Sequence, residues 1–313
     1  ALGATTTANN NTAVGRNALL ANTTASSNTA VGSSTLDANT TGAGNTAIGS
    51  SALGANTTAS YNTAVGHQAL LSNTTGTGNA SFGVNSLLSN TTGSGNSAFG
   101  SLHAGTQSAP LRTNTTGGSN SAFGVGALLS NTTASNNTAV GYSALAANTT
   151  GDQNAAVGKG SLAANTTGYR NTAVGYLAGD SVTTGAANTF IGSFSDTSGA
   201  TVNNQIVIGF NILGKGTSTG FISPGGGGVY QGNNSSTWSQ VSDRRIKKNI
   251  QDNNIGLDAI NQIQVKNFEY RTEDEITDFE NARVAVVTKE GIQLGVIAQE
   301  IEEILPDMVK TES

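Results

Sequence analysis

The 313-residue sequence has no cysteine, one methionine, one tryptophan and three prolines. Without cysteine there is no disulfide framework, thiol nucleophile or cysteine-ligated metal. The compartment stays open, because many exported proteins also lack cysteine. Charge is scarce too, at 11% of residues against a usual ~25%. No apolar run approaches the roughly 18 residues of a membrane span, so no membrane insertion is expected. The few charges are unevenly placed. Residues 1–209 hold four basic side chains (Arg16, Arg112, Lys159, Arg170) and four acidic ones (Asp37, Asp152, Asp180, Asp196), so the net charge of −5 lies wholly in the last third. A neutral first part and an acidic second part leave no basic footprint for nucleic acid.

What the sequence does have is glycine, 41 residues of it, within a fixed period. The phrase Asn-Thr-Ala-Val-Gly at 11–15 returns with small variations from Asn28, Asn45, Asn62, Asn79 and Asn96, then from Asn120, Asn137, Asn154, Asn171 and Asn188. The 17-residue period is broken once, by the longer step from Asn96 to Asn120. A second phrase, Asn-Thr-Thr, keeps the same period from Asn22 to Asn165, with a leucine three residues before it from Leu19 to Leu162. The extra residues of the long step fall within 101–110, which reads as a loop bulging from one turn and as the place where a rod would carry a recognition feature. The chain opens in mid-repeat and reads as a segment of something longer.

So short a unit cannot hold a helical pair, and it is poor in helix formers. Each unit reads as one coil of an all-β repeat rod, a parallel β-roll or β-solenoid, with glycine permitting the bend after the strand. Stacking aligns Val14, Val31, Ile48, Val65, Phe82, Phe99, Phe123, Val140, Val157, Val174 and Ile191 in one apolar ladder, read here as core, and the leucines in a second. Asparagine ladders can hydrogen-bond along the axis. One coil offers about two large apolar residues, each contributing about 1.5–3 kcal/mol, against more than ~1 kcal/mol of backbone entropy per residue. Three chains pooling their ladders would bury them better, so a homotrimer is favoured over a single-chain solenoid. The Asn-Thr-Ala-Val-Gly phrases resemble the head repeats of trimeric autotransporter adhesins and related phage tail fibres. The resemblance covers 1–209 and implies left-handed parallel β-rolls in homotrimers, although the unit here is longer than the commonest adhesin repeat.

Residues 210–241 are rich in glycine and serine and read as an irregular neck. Within them Gly209 to Gly216 approaches a phosphate-binding loop, but Gly216 stands where Ser or Thr is required. From 242 to 313 the pattern becomes that of a small α+β domain. Ile255–Ile263 has helical spacing, strands are expected at 265–270, 282–288 and 292–298, and Gln299–Leu305 reads as an amphipathic helix stopped by Pro306.

Ser242, Asp243, Arg245 and Lys247 fit the pattern Ser-Asp, any residue, Arg, any residue, Lys, and Gly295-Val-Ile-Ala-Gln-Glu-Ile-Glu-Glu-Ile-Leu-Pro306 supplies a second landmark. Together they resemble the intramolecular chaperone auto-processing domain that ends phage tail spikes such as endosialidases. That resemblance implies trimer assembly followed by self-cleavage, with Ser242 as nucleophile, Lys247 as base (Lys248 is the rival, and the family spacing favours Lys247), and Asp243 and Arg245 supporting. It also implies a domain running on past Pro306, so 242–313 reads as an incomplete copy. A serine hydroxyl needs a neighbouring base, and a lysine serves only when burial lowers its pKa. Any enzymatic activity is then at most a single-turnover serine peptidase. No cofactor and no metal are expected, His67 and His103 having no ligand spacing.

The reading is a structural fibre, most simply a virion tail fibre, whose partners are itself and a host-surface receptor, glycan or protein. The alternative is a bacterial surface adhesin or extracellular filament built from the same repeats.

Overall fold

In the computed structural model the described residues are 2–101, 108–224, 228–232, 239–240, 256–271, 275 and 291–305. The chain divides into two compact units, Ala1–Ser242 and Asp243–Ser313.

The first unit is a parallel β-solenoid. Its strands are β1 (Thr12–Val14), β2 (Thr29–Val31), β3 (Thr46–Ile48), β4 (Thr63–Val65), β5 (Ala80–Phe82), β6 (Ser97–Phe99), β7 (Ser121–Phe123), β8 (Thr138–Val140), β9 (Ala155–Val157), β10 (Thr172–Val174), β11 (Thr189–Ile191) and β12 (Ile206–Gly209). Each pairs in parallel with its sequence neighbours, and the register equates repeat positions: Thr12 faces Thr29, Ala13 faces Ala30, Val14 faces Val31. The long repeat does not disturb this. Across it, β6 and β7 still pair Ser97 with Ser121 and Phe99 with Phe123. The insertion is absorbed outside the strand; residues 102–107, including His103, lie outside the described residues.

The stack also continues beyond the expected boundary. β13 (Gly220–Ser223) adds in parallel to β12, setting Gly220 against Ile206 across a step shorter than the repeat. β14 (Val229–Gln231) and β15 (Ser239–Gln240) follow antiparallel. The stretch 210–241 is therefore not wholly an irregular neck: it ends the sheet with one shorter coil and a turn-back. A search at the period of the repeat misses it because its step differs.

Columns of stacked side chains fill the coil. Leucine at Leu19, Leu36, Leu53, Leu70, Leu87, Leu111, Leu128, Leu145 and Leu162 is wholly buried. So is the middle residue of nearly every strand, usually alanine: Ala30, Ala47, Ala64, Ala98, Ala122, Ala139, Ala156 and Ala173. A column of Ala, Ser or Thr just before each leucine, as at Ala18, Thr35, Ala52 and Ser86, is equally buried, and two asparagine columns complete the interior. From Asn39 onward in the first, each Nδ2 donates to the Oδ1 one rung back, as Asn39 does to Asn22 at 2.9 Å and Asn56 to Asn39 at 2.9 Å. The same Nδ2 donates to a carbonyl three residues on, Asn39 to Gly42 at 3.0 Å. In the second column the Oδ1 accepts the backbone N–H one rung on, as Asn28 does from Asn45 at 2.9 Å. A buried amide is costly unless paired; here translation by one repeat supplies the partner.

Exceptions compensate one another inside the coil. Where Ser81 replaces the strand alanine, its hydroxyl pairs with that of Ser86. Where Phe190 replaces it, Gly179 occupies the leucine column, and a Cβ there would lie 2.7 Å from the Phe190 ring. The turns need unusual backbone. Gly32 has φ +141°, and a Cβ on it would sit 2.7 Å from the carbonyl of Gly49 on the next rung. The buried leucines themselves are left-handed, Leu36 at φ 49° and Leu128 at φ 50°. That conformation costs about 1–2 kcal/mol for an L-residue, which burial of the side chain, about 1.5–3 kcal/mol, offsets.

In the second unit the described elements are α1 (Gly256–Ile260), β16 (Lys266–Phe268) paired antiparallel with β17 (Gln293–Gly295), and α2 (Ala298–Ile304). The first three fall within the helix and two strands read from the sequence. α2 matches the expected helix but starts one residue earlier, at Ala298, where the sequence pattern places the end of the strand. The strand expected at 282–288 lies outside the described residues. Among those residues no helix is long and apolar enough to cross a membrane.

Candidate functional site

Each strand of the repeat is short, and its middle residue points inward. Its ends point out, so each rung presents a small hydroxyl or methyl residue and, two positions on, a larger apolar one on the same outer face. Val14 is 58% exposed, Ile48 41%, Phe123 41% and Val174 43%. Val31, Val65, Phe82 and Phe99 are half-buried. The Val/Ile/Phe column exists as read, but it is the outside of the coil, not its core. The same correction applies to the phenylalanines: Phe82 and Phe99 stack at 4.6 Å with 11° between planes, and Phe99 and Phe123 at 4.9 Å with 5°, along the outer face. The physical reason is parity. Asparagine at the strand entrance turns inward to join its ladder, which forces the alanine in and the valine out.

A single chain thus carries an apolar stripe along the whole solenoid, continued by Ile208 in β12. Such a contiguous stripe marks an interaction surface. Toward the C-terminal rungs larger groups flank it. Lys159 Nζ lies 5.9 Å from the Tyr142 ring centroid and 5.6 Å from that of Tyr176, while Tyr176 and Phe194 meet edge to face at 5.1 Å.

The second unit also shows unmatched apolar surface. Leu294 in β17 and its flanking residues Ile292 and Val296 alternate along the chain, and Ile292 and Leu294 are 72% and 76% exposed. Among its described residues, Ala259 is buried and Lys266 Nζ pairs with Glu300 Oε1 at 2.9 Å, linking β16 to α2. Phe268 and Tyr270 pack edge to face at 5.3 Å.

Residues 242–310 match the family model described as Chaperone of endosialidase. The second unit carries a chaperone-of-endosialidase domain. The match begins at Ser242 and contains both sequence landmarks. Ser242, Asp243, Arg245 and Lys247 themselves lie outside the described residues, so their mutual geometry is not part of the structure. Nothing matching the chain is found among curated proteins or among solved structures.

Elsewhere, His67 is exposed on its rung. Among the described residues no group of three or more His, Cys, Asp or Glu side chains could hold a metal ion. Asp180 is the one acid with a clear displacement among them: burial, reinforced by the carboxylate of Asp196, raises its pKa above the usual carboxylate value. This pair sits beside the last full coils. Asp196 accepts backbone N–H groups from Thr197 at 2.8 Å and Ser181 at 3.3 Å, an arrangement that fixes a turn.

Proposed function

We propose that the chain is a homotrimeric fibre segment, of a tail fibre that attaches a virion to its host, assembled by its C-terminal chaperone domain. The observation that carries the reading is the outward apolar ladder. Three copies placed with these stripes facing a common axis would remove Val14 through Ile208 from water on every rung. An apolar area of that kind contributes about 25 cal/mol per Å² when covered. The chaperone domain, with Leu294 of β17 and the flanking Ile292 and Val296 exposed, supports the same reading, because a domain that gathers three chains needs a face that only the gathered state covers.

The chaperone then releases itself. Ser242 Oγ attacks an adjoining peptide carbonyl while Lys247 takes its proton, the amine departs, and water hydrolyses the resulting ester. Assembly is the trigger, because only the assembled domain desolvates Lys247 enough to make it a base.

Native mass spectrometry of the full-length protein beside Ser242→Ala and Lys247→Ala tests both parts. The outcome expected is a trimer cut near residue 242 in the parent and an uncut trimer in both variants. A monomeric parent sinks the fibre reading. An intact parent trimer sinks the cleavage alone.

A further inference from the structure

The corner that leads into each strand carries two outward residues per rung, and most are small: Ser26-Ser27, Ala43-Gly44, Thr77-Gly78, Ser94-Gly95. The pattern is interrupted at Ser60-Tyr61, and near the C-terminal end of the solenoid, from Asp152-Gln153 onward, it breaks. Tyr169-Arg170 occupies one rung, Ala186-Ala187 the next, and Asn203-Asn204 the one after. The alanines are a missing rung of side chains between two bulky ones, and the result is a recess of about 340 Å³. Its walls are two rungs, roughly 9.6 Å, apart at about 4.8 Å per strand, which after the thickness of the side chains leaves room for one ring.

Hydrogen bonds between rungs hold the backbone of the recess, and polar side chains line it. Its floor is held by Ala187 N–H donating to the Tyr169 carbonyl at 2.9 Å and Asn204 N–H to that of Ala186 at 3.0 Å. Arg170 Nε donates to Gln153 Oε1 at 2.9 Å and the guanidinium lies 5.7 Å from the Tyr169 ring centroid. This bond runs from Nε to the preceding rung and leaves the terminal nitrogens as donors. Asn203 Oδ1 accepts the Ala186 N–H at 2.7 Å, which directs its Nδ2 outward. Tyr169 is 49% exposed.

We infer that this recess binds a carboxylate-bearing saccharide unit, a uronate or sialate residue of a larger glycan. An aromatic ring offers a stacking surface to sugar C–H groups, two amides serve hydroxyls as donors and acceptors, and a planar guanidinium takes a carboxylate through two parallel bonds. No acidic side chain pairs with Arg170 among the described residues, so the cation is available to a ligand.

The inference deepens the attachment reading and rests on it for its biological role, but the binding is measurable independently. Saturation-transfer NMR on the full-length protein with 3′-sialyllactose, trigalacturonate and neutral lactose is the test. Transfer to at least one of the acidic sugars and none to lactose is expected. Tyr169→Ala should abolish it, and Arg170→Gln should weaken it at least tenfold. Both side chains are exposed, so unchanged circular dichroism and melting would show that the coil is intact. No transfer from either acidic sugar at millimolar concentration, equal transfer to lactose, or transfer undiminished in both variants overturns the site. A monomeric parent that still binds the acidic sugar would remove the fibre reading and leave the site standing.

Discussion

Val182 occupies the rung after Asn165, and with it the first asparagine column ends: Asn165 Oδ1 is buried without a hydrogen-bond partner. Every earlier member receives an amide from its successor, as Asn56 does from Asn73 at 3.1 Å. The column therefore has an interior and an end, and they should respond differently. Asn56→Ala removes that bond together with Asn56 Nδ2 to Asn39 Oδ1 at 2.9 Å and to the Ala59 carbonyl at 3.0 Å. At about 1 kcal/mol or more for each buried bond, the cost is roughly 3 kcal/mol or above. Asn165→Ala removes two, to Asn148 and Gly168, and deletes an acceptor that was already unpaired. Thermal melting should show the smaller loss at 165; equal losses would mean that the column is not cooperative.

The outward ladder separates coil stability from assembly. Val157 is 41% exposed in one chain, so Val157→Lys should leave the coil folded, with unchanged circular dichroism. In a trimer with the ladder at the axis, three lysines would meet there. Light scattering should then report monomer or a strongly weakened trimer. A trimer of undiminished stability would place the chain–chain contact on another face.

The Phe190–Gly179 exchange predicts a compensating pair. Gly179 has φ +62°, close to the φ 48° of Leu162, so a leucine fits the backbone; its Cβ would meet the Phe190 ring at 2.7 Å and, less severely, Leu162 Cδ2 at 3.1 Å. Gly179→Leu alone should overpack the coil by about 1–3 kcal/mol, and Phe190→Ala alone should cost about 3–5 kcal/mol through its cavity. The double variant restores the leucine–alanine pair of the other coils and should recover most of the loss. A strictly additive double variant would refute the compensation.

Asp180 gives a pH signature. Its pKa is raised in the fold by burial and by Asp196, so the native state holds a proton that the unfolded chain has released. Stability from this group is full below the usual carboxylate pKa, falls as pH rises through the raised value, and stays lower above it. Asp180→Asn should therefore raise the melting temperature at pH 7 and change it least near pH 3. A gain of equal size at both would remove ionisation as the cause.

The repeat length, the stacking and the bending glycines were legible because translation by one repeat equates Ala30 with Ala47 and Gly32 with Gly49. The inside and the outside were not. So short a strand offers too little alternation to fix which parity is buried, and Val31 is the larger apolar residue, so it reads as core while Ala30 does not. The left-handed leucines were hidden for a related reason: only tertiary burial makes a positive φ tolerable for Leu36. β13 escaped notice because its step from β12, Ile206 to Gly220, breaks the period. In the chaperone domain, α1 and α2 announced themselves by spacing. Ser242 and Lys247 were legible only as a motif, since the chemistry of a serine and lysine depends on a burial that spacing does not encode.

The pairing of β6 with β7 across the long repeat has a consequence for how such proteins change. Register is carried by each rung's own strand, not by the length of chain between rungs. Whole repeats can thus be gained or lost by unequal recombination, changing the reach of the molecule in steps of about 4.8 Å. The connecting segments can meanwhile take on new sequence without touching that measure. Length and surface identity can be selected separately.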